Sequence, residues 1–159
     1  MSNKFGSLVA DVSKAFCVEI VDPVTEEVIR DKAGNPMFIA IWAADSARAR
    51  DFGKAKRKEL ALRVKQSRNG KVEPDDALEA NIAFCAALTD GWYLVDRVTG
   101  EPIDVPCTPE NAADLYSSLG AGWIFIQPWT EANSAVNFLP KPSKPSVDTP
   151  KPSSEAEGA

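Results

Sequence analysis

Hydrophobic and polar positions alternate with a period of two near the start of the chain and change to a helical period after residue 45. Phe16, Val18 and Ile20 alternate with Cys17, Glu19 and Val21, which predicts a strand. Asp22-Pro23-Val24-Thr25 is a turn, because proline presets the backbone at its second position. Glu27 to Arg30 is the expected return strand, Ala33-Gly34-Asn35-Pro36 a second turn, and Met37 to Trp42 a third strand. That third strand is apolar on both faces and so is expected to be the central or most covered one. A helix then opens at Asp45 or Ser46, with Phe52, Leu60 and Val64 on one face and Asn69-Gly70 as its stop. Gly53 weakens it by about 1 kcal/mol relative to alanine. Pro74-Asp75-Asp76 starts a second helix with the apolar set Leu78, Ile82, Cys85 and Leu88, expected to end at Asp90-Gly91.

Trp92 to Asp96 and Glu101 to Val105 read as a short hairpin. Its turn repeats an earlier one. Val21-Asp22-Pro23-Val24-Thr25-Glu26-Glu27-Val28-Ile29 and Val95-Asp96-Arg97-Val98-Thr99-Gly100-Glu101-Pro102-Ile103 agree at six of nine positions. The flanks do not match, so this reads as one turn chemistry used twice rather than a duplicated domain. Thr108 caps a third helix with Pro109 at its first position, and Ala112, Leu115, Tyr116 and Leu119 form its inner face. After Gly120-Ala121-Gly122, a last helix spans Trp123 to Val136. Pro128 within it either kinks it or moves its start to Gln127. The expected fold class is therefore α+β. A small N-terminal antiparallel β-meander (1–44) precedes a mainly α-helical bundle with a short hairpin (45–139), and a disordered Pro/Lys/Ser tail (140–159) follows.

Composition narrows the chemistry. The 159 residues include no histidine, which removes the commonest general base and the commonest metal ligand. Cys17, Cys85 and Cys107 are odd in number and far apart, so neither a disulfide framework nor a zinc site is expected. The chain contains neither GxGxxG nor GxxxxGK[ST]. No catalytic residue, metal or cofactor is expected. No apolar run is long enough for a membrane span and no signal peptide is evident at Met1, so a cytoplasmic protein is expected.

Charge divides the chain more sharply than its net −5 suggests. Residues 46–71 hold ten Lys/Arg against two Asp/Glu, and residues 72–138 hold one against eleven. The acidic majority opposes a nucleic-acid role for the basic helix, leaving a solvated face or a docking site for an acidic protein. The electrostatic docking candidates are Arg48, Arg50, Lys54, Lys56, Arg57, Lys58 and Arg63.

Order and spacing of several segments resemble the tail assembly chaperones of long-tailed phages and prophages. The segments are Ile39-Ala40-Ile41-Trp42-Ala43-Ala44-Asp45-Ser46 followed by Arg48 and Arg50, then Leu88-Thr89-Asp90-Gly91-Trp92 and Thr108-Pro109-Glu110-Asn111. The last is a helix with Trp123 and Gln127 that ends in Asn137-Phe138-Leu139. The similarity covers residues 16–139, and Pro128 departs from the pattern. The resemblance implies a non-catalytic protein of the host bacterial cytoplasm. It would keep the tape measure protein soluble and assist polymerisation of the tail tube protein; charge segregation alone suggests self-association of the basic helix with the acidic half of another copy. The expected contact is reversible, helix-in-groove or helix-on-helix, on a modest aromatic surface, with Leu115, Tyr116, Trp123, Phe125, Ile126, Trp129 and Phe138 as candidates. A structural tail tube or adaptor component, and a nucleic-acid-binding regulator, are the alternative readings.

Overall fold

The computed structural model describes residues 4–73 and 76–141. Four strands, β1 (Phe16–Glu19), β2 (Phe38–Ile41), β3 (Thr89–Val95) and β4 (Pro102–Ile103), form one antiparallel sheet in the order β1-β2-β3-β4. Helices α1 (Ala47–Gln66) and α2 (Ala77–Leu88) lie between β2 and β3 in the chain, and α3 (Pro109–Ser117) and α4 (Gly122–Ala132) follow β4. The fold is α+β, as the change of period predicts. The expected disorder after Pro140 falls, from residue 142 onward, outside the described residues.

The sheet crosses the change of element type at residues 44 and 45, because β3 completes what β1 and β2 begin. One core draws on both sides of that point: Val18, Ile20, Met37, Ile39 and Ile41 from the sheet, with Ile82, Cys85, Leu88, Ala112, Tyr116 and Phe125 from the helices. β2 lies inside the sheet with Ile39, Ala40 and Ile41 all buried, which explains why neither of its faces carries a polar residue.

The meander is shorter than expected. Residues 27–30 form no strand and make only two isolated bridges, Val21 with Val28 and Arg30 with Pro36. Two tight turns flank the segment and leave too few residues for a ladder. Its buried Ile29 donates its N–H to Ile20 O at 2.9 Å and accepts the Met37 N–H at 2.8 Å. β1 therefore pairs directly with β2 (Val18 opposite Ile39).

The repeated sequence folds the same way twice. Asp22 Oδ1 accepts the Val24 N–H at 2.8 Å, and Asp96 Oδ1 accepts the Val98 N–H at 2.8 Å. The Asp22 N–H reaches Glu27 O, and the Asp96 N–H reaches Glu101 O. Thr25 and Thr99 hydroxyls accept the Glu27 and Glu101 N–H groups. Both turns contain a left-handed residue at the same place, Gly100 at φ 73° and Glu26 at φ 59°. Arg97 ion-pairs with the buried Asp22, so one turn is tied to the other.

The helix caps are as read: Ser46 Oγ accepts the Ala49 N–H at 3.3 Å, and Thr108 Oγ1 accepts the Asn111 N–H at 3.1 Å. Several boundaries differ. α1 ends at Gln66, before Asn69-Gly70. Pro74 and Asp75, expected to open α2, lie outside the described residues. α2 does not stop at Asp90-Gly91; it passes straight into β3, so both residues are within the strand. Gly91 sits opposite Ala40, where the β2–β3 register shifts. Thr89 makes the junction, donating to Cys85 O at 2.9 Å and sharing a 2.7 Å hydrogen bond with the buried Tyr116 hydroxyl. α4 starts at Gly122, continues through the buried Pro128 and ends at Ala132, four residues short of Val136.

Candidate partner-binding surface

The aromatic residues of the C-terminal half build the interior. Rings form a continuous chain from α1 to α3: Phe52–Phe84 at 5.8 Å, Phe84–Trp129 at 6.0 Å, Trp129–Phe125 at 5.8 Å and Phe125–Tyr116 at 5.7 Å. Phe138 packs edge-on against Phe16 at 6.1 Å. Of the seven apolar contact candidates, Tyr116, Phe125 and Phe138 are buried, and Leu115, Trp123 and Trp129 are half-buried against the core. Only Ile126 is exposed. This corrects the sequence expectation for three of the seven: Tyr116, Phe125 and Phe138 are packed in the interior and offer little surface to a partner.

Gln127 lies at the edge of this interior layer, half-buried, as a connector. Its side-chain amide accepts the Val21 N–H at 2.9 Å and donates to Val21 O at 3.0 Å, taking the place of a neighbouring strand just beyond β1. The same amide donates to Trp123 O at 3.0 Å. A glutamine one position before a mid-helix proline therefore fastens α4 to the sheet edge.

Exposed apolar surface lies elsewhere, on α1 and the start of α2. α1 has 20 residues, of which Ala49 alone is buried. Leu60, Leu62 and Val64 are 48%, 58% and 40% exposed, and Leu78 on α2 is 56% exposed. Leu78 was expected in the core face of α2, and Leu119 in that of α3, where it is fully exposed. Leu78 keeps its helical position, but no element covers that end of α2; α3 stops at Ser117, and Leu119 lies beyond it in the turn that follows. Ile82, Cys85 and Leu88, one to three turns further along α2, are buried. The C-terminal part of α1 and the N-terminal part of α2 thus form a helical arm anchored by the Phe52–Phe84 contact.

Between the helices lie two open grooves. One, of about 500 Å³, is lined by Phe52, Lys56, Glu59, Arg63, Glu79, Ala80 and Ala83 at the root of the arm. The other, of about 620 Å³, runs between α1, α2 and α3. Its floor is Phe52 and the alanines 55, 83, 86, 87 and 113, with Arg48, Asp51 and Glu110 among its polar lining. Alanine at these positions lets a passing helix approach closely.

The seven basic candidates separate into two groups. Arg48 ion-pairs with Asp90 at 3.0 Å and lies over the Trp42 ring at 6.0 Å. Lys56 and Arg63 converge on Glu59 at 3.4 and 3.3 Å, and Lys56 also lies over Phe52. Arg48 thus ties α1 to β3 and Trp42, whereas the Lys56 and Arg63 pairs with Glu59 lie within α1 itself. Arg50, Lys54, Arg57 and Lys58 are exposed and make no ion pair among the described residues; Lys65, absent from the candidates, is placed the same way. Spacing along α1 carried the signal for Lys65, which lies seven residues after Lys58 and so on the same side of the helix.

Buried titratable groups in the core are neutral. Burial pushes the Cys85 thiol up to about 12, and burial likewise raises the Tyr116 hydroxyl, whose hydrogen bond to Thr89 offsets only part of the effect. No helix among the described residues is long and apolar enough to cross a membrane. No protein-family model, curated protein or solved structure matches the chain.

Proposed function

We propose that this chain is a non-catalytic tail assembly chaperone of a long-tailed phage or prophage. It binds helices of the tape measure protein and keeps that protein soluble while the tube assembles. The observation that carries the reading is the arm: a 20-residue helix that buries one residue and, with α2, presents Leu60, Leu62, Val64 and Leu78 to solvent. Helices this poorly packed draw little stability from their own fold and present apolar surface suited to a partner. The alanine-floored groove beside the arm suits a second helix, which is the form in which a long amphipathic tape measure exposes its stripes. The order of segments from Ile39 to Leu139 resembles the same family.

The test is co-expression with the tape measure protein encoded beside this chain, comparing wild type with Leu60→Ser/Leu62→Ser/Val64→Ser. All three positions are exposed, so the variant keeps the native circular dichroism. The expected result is a tape measure that is soluble with the wild type and insoluble with the variant. A tape measure indifferent to both, with this chain present in purified particles, would show a structural tail component instead.

A further inference from the structure

The free cations of α1 form a ridge. At 3.6 residues per turn, Arg50, Lys54, Arg57, Lys58 and Lys65 fall within one sector of roughly 100° and extend over about 22 Å of the helix. All five are exposed, and none pairs with a carboxylate among the described residues. The ridge has aliphatic borders: Leu60 and Val64 on one side and Leu62 on the other, each at least 40% exposed. The acidic residues of α1 sit off this sector. Glu59 is taken up by Lys56 and Arg63, and Asp51 lies at the ridge's edge on the Leu62 side.

We propose that this ridge docks an acidic amphipathic helix of a partner protein, laid alongside α1 with its carboxylates on the cations and its apolar side chains on Leu60 and Val64. This deepens the chaperone reading and rests on it for the helical form of the partner. Three observations select that chemistry. The cations follow helical spacing, which matches carboxylates repeated every three or four residues. Aliphatic side chains flank them, and a phosphate backbone offers no apolar counterpart. The chain as a whole carries −5 despite the ridge, so its wider field opposes a dense polyanion such as nucleic acid or an anionic membrane more strongly than one helix bearing a few carboxylates.

The test uses the full chain and fluorescence anisotropy with four probes. They are a labelled helical peptide of about twenty residues with leucines on one face and a glutamate ridge beside them, the same composition scrambled, a short DNA duplex, and phosphatidylglycerol vesicles. The acidic helix should bind, and raising salt from about 50 to about 300 mM should weaken it roughly tenfold or more. Lys54→Glu/Lys58→Glu should cost about tenfold or more. Leu60→Ser/Val64→Ser should cost roughly fivefold at low and high salt alike. Equal binding of the scrambled peptide, tighter binding of DNA or vesicles, or an unaffected charge-reversal variant would overturn the proposal. So would salt-sensitive self-association, by sedimentation, that the acidic helix does not displace; the occupant would then be a second copy. Two proposals fail separately here. A tape measure still solubilised by Lys54→Glu/Lys58→Glu removes the ridge and leaves the chaperone reading; peptide binding with an indifferent tape measure does the reverse.

Discussion

Glu26 and Gly100 occupy equivalent places in the twin turns, both left-handed, but only one of them is glycine. A side chain at this φ costs energy that glycine does not. Glu26→Gly should therefore stabilise the protein by about 0.5–1 kcal/mol, read as a higher denaturant midpoint with an unchanged slope. Gly100→Ala should destabilise it by about 1–2 kcal/mol, since its new Cβ would also lie 3.3 Å from Lys32 Cγ. Asp31 offers a titration at the same scale. The Tyr93 hydroxyl donates to its Oδ2 at 2.6 Å, and Asn35 adds side-chain and backbone N–H donors, which together hold the carboxyl down at about 2. A depressed carboxylate stabilises the fold above its ordinary value of 3.8 and loses that contribution as pH falls toward 2. In Tyr93→Phe the Asp31 carboxyl should titrate closer to 3.8 by NMR, and the acid-side fall in stability should become shallower. An Asp31 that still titrates at about 2 would show that the other donors suffice. Local chemistry of this kind is legible in the sequence: Asp22, Thr25, Asp96 and Thr99 announce their turns, and Ser46 and Thr108 their caps, because each bonds within a few residues of itself.

Elements are less legible, since what covers a face is decided far away in the chain. Periodicity places Leu78 on α2 correctly but cannot say where the covering neighbour ends, and it carries α3 two residues too far, to Leu119. The passage from α2 into β3 at Thr89 was hidden because Asp90-Gly91 reads as a stop; only the pairing of Gly91 with Ala40 makes it strand. The short meander has the same origin, for residues 27–30 have strand composition but lie between two turns that close too soon. Gln127 is the clearest long-range device. Its contacts with Val21 span 106 residues, and they hold α4 against β1. Gln127→Ala should cost about 1 kcal/mol, because the lost bonds to Val21 are exposed and water can take the place of the amide. Gln127→Glu should recover part of that by accepting the Val21 N–H, and equal losses for the two variants would argue against the strand-like role.

At the scale of the whole molecule, aromatic content and charge segregation were both evident beforehand, but they mark different things. Tyr116, Phe125 and Phe138 fill the interior, because composition alone does not distinguish a core from an interface. The basic run does mark a surface, and it coincides with the least buried helix of the fold. The aromatic chain from Phe52 to Tyr116 anchors the base of α1 while its far end, with the start of α2, stands free of the core. An arm of this kind should be the least protected helical segment of the isolated protein and the most changed on binding. Hydrogen exchange read by mass spectrometry, on the chain alone and in complex with the co-expressed tape measure protein, examines this most directly. The account predicts fast exchange across residues 57–66 and 77–81 in the free protein and marked slowing there in the complex, with the sheet unchanged. Slowing confined to the sheet or to α4, or no change on the arm, would contradict it.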